Sequence, residues 1–273
     1  MDKYSRLRFD NVIQDENSSS LQKYMDLVIG KRDVSRLILY ELITLFFGWT
    51  PGGIGIWLRK FSYPRLFQSV GKGVVFGNHL TLRSPSRISI GADVVIDDYC
   101  VLSVRGFGDE ALQIGNNVLV GRNSLLKARG GRIVIDDGTN IGHGCHVGSS
   151  SEVILGAHCL IGPGCFIGAL QHEFSRTDVP IVEQGLVLKG GVRLGRGAWL
   201  GAHVIVNDGV TIGEGAVIGA GSIVTKEIPP YAIAVGSPAA IVRYRTEEDV
   251  HRADKDETDQ VRENRTRENH RPK

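Results

Sequence analysis

A six-residue beat of aliphatic side chains runs through most of this 273-residue chain. Ile90, Ile96 and Leu102 form one run, and Ile114, Val120 and Leu126 the next. Ile135, Ile141 and Val147 follow, then Leu155, Ile161 and Ile167. After an interruption the beat resumes as Leu194, Leu200, Val206, Ile212, Ile218 and Val224. A helix repeats its faces every three to four residues, whereas strand side chains alternate, so a period of six fits short strands. The residue two before each anchor should then share its inward side. Those positions hold Cys100, Val118, Ser124, Cys145, Cys159, Cys165, Ala198, Val204, Val210, Ala216 and Ser222. Nearly all are small or apolar, as a narrow interior requires. Glycine follows many anchors, as in "IGNNVLVG" and "LGAHCLIGPGCFIG". It marks corners where φ turns positive or the backbone turns tightly. Short strands joined by such corners and stacked on one another make a parallel β-solenoid, whose ends need caps.

Composition adds exclusions. The formal net charge is +2, so whole-chain charge gives no argument for a nucleic-acid partner. All four cysteines occupy inward positions and none is spaced CxxC, so they read as core fillers and no metal is expected. The N-terminal "MDKYSRLRFDN" lacks the apolar stretch of a secretory signal, which points to the cytoplasm and free thiols.

Toward the C-terminus the chain reads "VNDGVTIGEGAVIGAGSIVTKEIPPYAIAVGSPAAIVRYR", with "AWLGAHV" just before it. With "GAGSIVTK" and "VGSPAAIVR" following in that order, residues 71 to 245 resemble the hexapeptide-repeat acyltransferases. More narrowly they are similar to the sugar and polysaccharide O-acetyltransferase branch. The resemblance implies a mainly β protein, a left-handed parallel β-helix with an N-terminal helical region and a short C-terminal extension. It also implies a homotrimer that uses acetyl-CoA as acyl donor and a sugar as acceptor.

The interruption, "GCFIGALQHEFSRTDVPIVEQG", starts a loop read as residues 168–193. A long insertion in a strict repeat is usually functional. In the family such a loop overhangs a cleft between subunits and carries the catalytic histidine, which the resemblance assigns to His172. A neutral imidazole suits the removal of a proton from a sugar hydroxyl as it attacks a thioester. Glu173, Asp178, Glu183 or a backbone carbonyl are alternatives for orienting that ring. The family's acyl-CoA contacts carry over to Ala202, Ala220, Thr225, Lys226 and Arg243, with Trp199 as a wall. Lys226 and Arg243 are suited to phosphates. His143, His146 and Gln184 are candidates for the acceptor, although "GHGCHVG" lacks the asparagine that many relatives carry there. Other acceptors within the fold are an amino sugar, an antibiotic or serine. A metalloprotein of the γ-carbonic-anhydrase kind would need three converging histidines.

The remaining chain divides by composition. Residues 1–33 are polar with room for a helix, and 34–70 read as an amphipathic helical region. Residues 71–228 hold the repeats, 229–245 a cap, and 246–273 a charged tail too poor in apolar residues to fold. A helix fits 34–48, and Thr50-Pro51 reads as an N-cap with Pro at the first position of a second helix. Two readings of 34–67 stay open. The helices cap the first coil, or they lie on the inner face of a membrane as a peripheral anchor. Trp49, Trp57, Tyr63, Arg59, Lys60 and Arg65 suit the second.

Overall fold

The computed structural model describes residues 18–105, 111–169 and 171–245. The charged tail at 246–273 and the first 17 residues lie outside them. Three sheets of parallel strands wrap into a solenoid of about seven coils. Sheet A has seven strands, from Ser69–Val70 to Thr211–Ile212. Sheet B runs from Val75–Phe76 to Val217–Ile218 and on into the C-terminal cap, and sheet C from Thr81–Arg83 to Ile223–Val224. Successive anchors fall on A, B and C in turn, and each stacks on the anchor one coil before it, as Ile96 does on Phe76 and Val120 on Ile96. The anchors point inward and are buried, Leu102, Ile141, Leu200 and Val224 completely.

The small inward residues do more than fill space. Each cysteine thiol donates toward the carbonyl of a glycine one coil on: Cys100 to Gly121, Cys145 to Gly162, Cys159 to Gly195 and Cys165 to Gly201, at 3.1–3.2 Å. Ser124 Oγ does the same to Gly142 at 3.1 Å and Thr139 Oγ1 to Gly156 at 2.8 Å. Burial pushes the Cys100 and Cys159 thiols up to about 11. They are protonated donors at neutral pH, and inert ones.

The corners divide two tasks that the sequence reading had merged. The residue three after an anchor takes positive φ: Gly138, Gly144, Gly164 and Gly197, but also Asn117, Asn123, His158 and His203. The glycine directly after an anchor does not. At most corners it is glycine because the next coil's backbone passes too close: a Cβ on Gly121 would lie 2.6 Å from His143 N, and one on Gly201 2.6 Å from Ala220 N, whereas Gly148 and Gly168 on the long sheet C strands meet only the His146 and Phe166 rings. His158 and His203 therefore serve as corner residues, each ring lying over the glycine of the preceding coil.

Coil length is not constant. In the last step each residue pairs with one 18 positions on, Arg193 with Thr211 and Ile205 with Ile223. Earlier steps are longer, as in Ser69 with Ser89, Ile88 with Leu112 and Arg132 with Glu152. All the extra residues enter between sheet C and sheet A. There the sheet C strands lengthen to Val101–Arg105, Leu125–Arg129, His146–Ser149 and Phe166–Ala169.

Three helices cover the first coil: α1 (Ser20–Val28), α2 (Val34–Phe47) and α3 (Gly52–Ser62). Ser19 and Gln22 form a capping box on α1, and the Asp33 carboxylate caps α2 by accepting from Arg36 N–H. Pro51 takes the N-cap position of α3, one residue later than Thr50-Pro51 had suggested, and Thr50 Oγ1 bonds back to Phe46 O instead. Met25, Val28, Leu37, Tyr40, Ile43, Leu66 and Phe67 join the core. Capping of the first coil is thus observed. Two residues expected at an interface belong to this cap. Tyr63 is fully buried against Phe76, and Arg59 is 1% exposed. The Arg59 guanidinium donates to Phe76 O, Phe47 O and Thr50 O at 2.7–3.0 Å, joining both helices to the coil. Burial lowers its affinity for the proton, and these three carbonyls replace the water it has lost. At the other end Ala232–Val235 extends sheet B, and Ala240–Tyr244 folds back on it antiparallel.

Candidate active site

The interruption leaves the solenoid at the end of the sheet C strand Phe166–Ala169 and returns at Val192 of sheet A. Just outside the stack it pairs with itself. Gln171 and His172 face Val187 and Leu186 in a short antiparallel ladder, closed by Glu173 N–H donating to Gly185 O. Leu186 is buried, while His172 is exposed. A one-turn helix, α4 (Ile181–Gln184), fills the far end. Gln184 uses both ends of its amide inside the loop: Nε2 donates to Arg176 O and Val179 O, and Oε1 accepts from Arg176 N–H. The returning arm is fixed by a residue the sequence reading missed. Asp208, 8% exposed, accepts from Lys189 N–H at 2.8 Å and Gly191 N–H at 2.9 Å.

None of the carboxylates considered for His172 bonds to it among the described residues. Glu173 turns to the N–H groups of Phe174 and Ser175, which hold its carboxyl below the usual range. Asp178 pairs with Arg176, which does the same to it. Among the described residues no group of three or more His, Cys, Asp or Glu is arranged to hold a metal ion.

The other candidates fall on two faces. Ala202 and Ala220 stack one coil apart on the corner between sheets B and C, where Gly221 N–H donates to Ala202 O at 2.8 Å. Thr225 and Lys226 follow the last sheet C strand, with Lys226 exposed. These four bracket the outer face of sheet C over its last two coils. Trp199 stands on sheet B between Leu160 and Val217, 48% exposed, and Arg243 lies on the final strand opposite Ile233. His143 is exposed on the corner that holds Ala202.

His146 is on sheet C itself. The outward column of that sheet runs Val101, Leu125, His146, Phe166, Ile205 and Ile223, each residue in register with the next. The His146 ring stands edge-on to Phe166, centroids 5.0 Å apart. Burial, helped by the Lys127 charge, holds the imidazole below its ordinary range, so it is neutral at pH 7. Beside it a pocket is lined by Lys127, Arg129, His146, Ser149, Phe166 and the side-chain-free Gly148 and Gly168. None of these except His146 stood out in the sequence. Gly168 is four residues before His172, a reach of at most roughly 14 Å along the chain.

Comparison with known proteins adds the following. The family model "Bacterial transferase hexapeptide (six repeats)" matches residues 191–226. A probable acetyltransferase of Mycobacterium tuberculosis is 34% identical over 134 residues, which is 49% of this chain and 44% of that protein. The galactoside O-acetyltransferase of Escherichia coli is 34% identical over 138 residues, 50% of this chain and 59% of that one. The chain thus spans about half the length of the curated relatives it matches. Among solved structures, a mutant of AntD, an N-acyltransferase from Bacillus cereus in complex with dTDP and coenzyme A, is 26% identical with a TM-score of 0.49, covering 72% of this chain and 95% of that one.

Proposed function

We propose, from the premise that the chain belongs to the hexapeptide-repeat transferase family, that it moves an acetyl group from acetyl-CoA to a sugar hydroxyl. The observation that carries the proposal is the position of His172. It is an exposed imidazole held on a braced ladder at the edge of sheet C. The donor contacts Ala202, Ala220, Thr225 and Lys226 are on the later coils of that sheet, and the His146 pocket is on the earlier ones. A sugar hydroxyl as acceptor is supported by the Escherichia coli relative, a galactoside O-acetyltransferase. Gln184, engaged within the loop, acts as a brace.

The chemistry needs few parts. A neutral His172 takes the hydroxyl proton as the oxygen attacks the thioester carbonyl carbon. The tetrahedral oxyanion collapses, the C–S bond breaks, and the departing thiolate recovers the proton from the imidazolium. Coenzyme A and an acetyl ester result, with no covalent enzyme intermediate. A general base contributes about 10²–10⁴ in rate. His172→Ala should therefore lower kcat at least about a hundredfold while coenzyme A binding, measured by titration calorimetry, is kept. Turnover within a few-fold of the parent would remove the proposal.

The homotrimer is part of the same reading. The outward column of sheet A is mostly polar, including Ser69, Ser89, Gln113, Arg193 and Thr211. Sheet B instead carries Leu119, Leu160 and Trp199, 39–48% exposed, and sheet C the apolar column above. Two apolar faces meeting at one corner suit packing about a threefold axis, which would cover the cleft where His172 hangs. A monomer in sedimentation velocity at micromolar concentration would contradict it.

We also propose that the outer face of α2 and α3 rests on an anionic membrane. No helix of the described residues is long and apolar enough to cross one. Yet Ile38, Leu42, Leu45, Phe46, Trp49, Ile54, Trp57 and Phe61 are 49–72% exposed on the side away from the first coil. Lys31, Lys60 and Arg65 are exposed in and around these helices, and the nearby acids are engaged, Asp33 as a cap and Glu41 with Tyr24 O–H. Such a face suits anionic lipid. Cosedimentation with phosphatidylglycerol vesicles should be lost in Trp49→Ser/Trp57→Ser, and absence of cosedimentation by the parent chain would refute the assignment.

A further inference from the structure

The pocket on sheet C gathers positive charge from strands that are far apart in sequence. Arg105 and Arg129 are direct register partners, and Lys127 is two residues before Arg129 on the same side of its strand. Like charges opposite one another on neighbouring strands are destabilising by themselves. Burial, and then the charges of Arg129 and Arg105, pull the Lys127 ammonium below its ordinary value. Glu152, the acid on the adjoining corner, is already bracketed by Arg132 and Arg193.

A polar group also waits beside it without a partner. Among the described residues, the buried Nε of Arg105, the register partner of the lining Arg129, makes no hydrogen bond. A buried donor left unpaired costs about 1–3 kcal/mol, so a guanidinium N–H unpaired beside this cationic pocket calls for an acceptor from outside the chain. Gly148 leaves the floor open, the Phe166 ring lies over Gly168, and His146 with Phe166 forms a wall. An ammonium and guanidinium N–H groups around an open floor match a tetrahedral or planar oxyanion.

We infer that this pocket seats a phosphate or carboxylate of the acceptor, so that the true acceptor is an anionic glycan or sugar derivative. The word acceptor rests on the transferase reading; the anion site does not. The pocket and the donor contacts occupy the same face on opposite sides of the loop. An acceptor held there by its charged group would extend its hydroxyl toward His172.

Equilibrium dialysis of labelled inorganic phosphate against the full-length chain tests this, with coenzyme A saturating so that donor-side phosphate contacts are filled. The expected result is saturable binding of one phosphate per chain. Displacement by glucose 1-phosphate or by glucuronate tells which of the two anions the site prefers. Lys127→Met and Arg105→Gln should each weaken binding about tenfold or more, with coenzyme A binding unchanged. The inference is overturned by an absence of saturable binding into the millimolar range, by binding that both charge variants retain, or by phosphate that neither sugar displaces. Phosphate binding without any acetyl transfer would instead sink the transferase reading and leave the site standing.

Discussion

The last two coils and the five before them are built from one repeat and differ at one corner. In coils six and seven the corner between sheets C and A is as tight as the other two, and Val206 leads to Ile212 in six residues. In the earlier coils the same corner is stretched, from Val147–Leu155 at the least to Ile167–Leu194 at the most. The tight coils present small residues along a straight wall, which suits a long uniform donor arm. The stretched corner adds side chains with chemistry: Arg105, Lys127, Arg129, Ser149 and His172. A repeat protein can thus keep a generic wall and a specific pocket on one face, because insertions at a single corner leave the stacking of all three sheets intact.

If that division is right, glycines on the two sides should respond differently to a methyl group. In the tight coils Gly201→Ala forces a Cβ to 2.6 Å from the backbone nitrogen of Ala220. Overpacking against fixed backbone should cost about 1–3 kcal/mol, visible as a lowered midpoint of unfolding. Under the stretched corner, Gly148→Ala meets only the His146 ring at 3.3 Å. It should change stability by no more than about 0.5 kcal/mol while raising the KM for acceptor, because the methyl enters the pocket floor. Equal losses of stability in the two variants would erase the distinction.

A smaller effect concerns pH. His146 is depressed in the folded state, so below about 6.5 the unfolded chain binds a proton that the folded chain resists. Its contribution to stability is full above that pH and is lost as pH falls toward the folded value. His146→Gln should flatten the rise of stability with pH between pH 5 and 7, read from unfolding midpoints across that range. An NMR titration of Lys127→Met should show the His146 pKa moving upward. No movement would mean that the Lys127 charge does not reach the pocket.

Much of the solenoid was legible because its signal is local and periodic. Every anchor from Ile90 to Val224 and every small inward partner is buried. The corner glycines were half legible: tight turning was readable, but the reason for each glycine lies one coil away, between Gly201 and Ala220 or Gly121 and His143. Arg59 misled because a cation beside aromatic residues looks like a surface cation, whereas three backbone carbonyls from three segments make its burial tolerable. His172 stands out in the sequence through the broken rhythm and a family motif. The pocket does not, since Lys127, Arg129, His146 and Phe166 meet only when coils of unequal length are stacked. The clue available was the uneven gap between anchor triplets, such as Leu102 to Ile114.

A crystal structure of the full-length protein with coenzyme A would test the common face most directly. The pantetheine arm should run along sheet C between the Ala202–Ala220 corner and Thr225, with its sulfur turned toward the His172 ring and the Lys127 pocket beyond it. Coenzyme A bound along sheet A, or with its sulfur pointing away from His172, would contradict it.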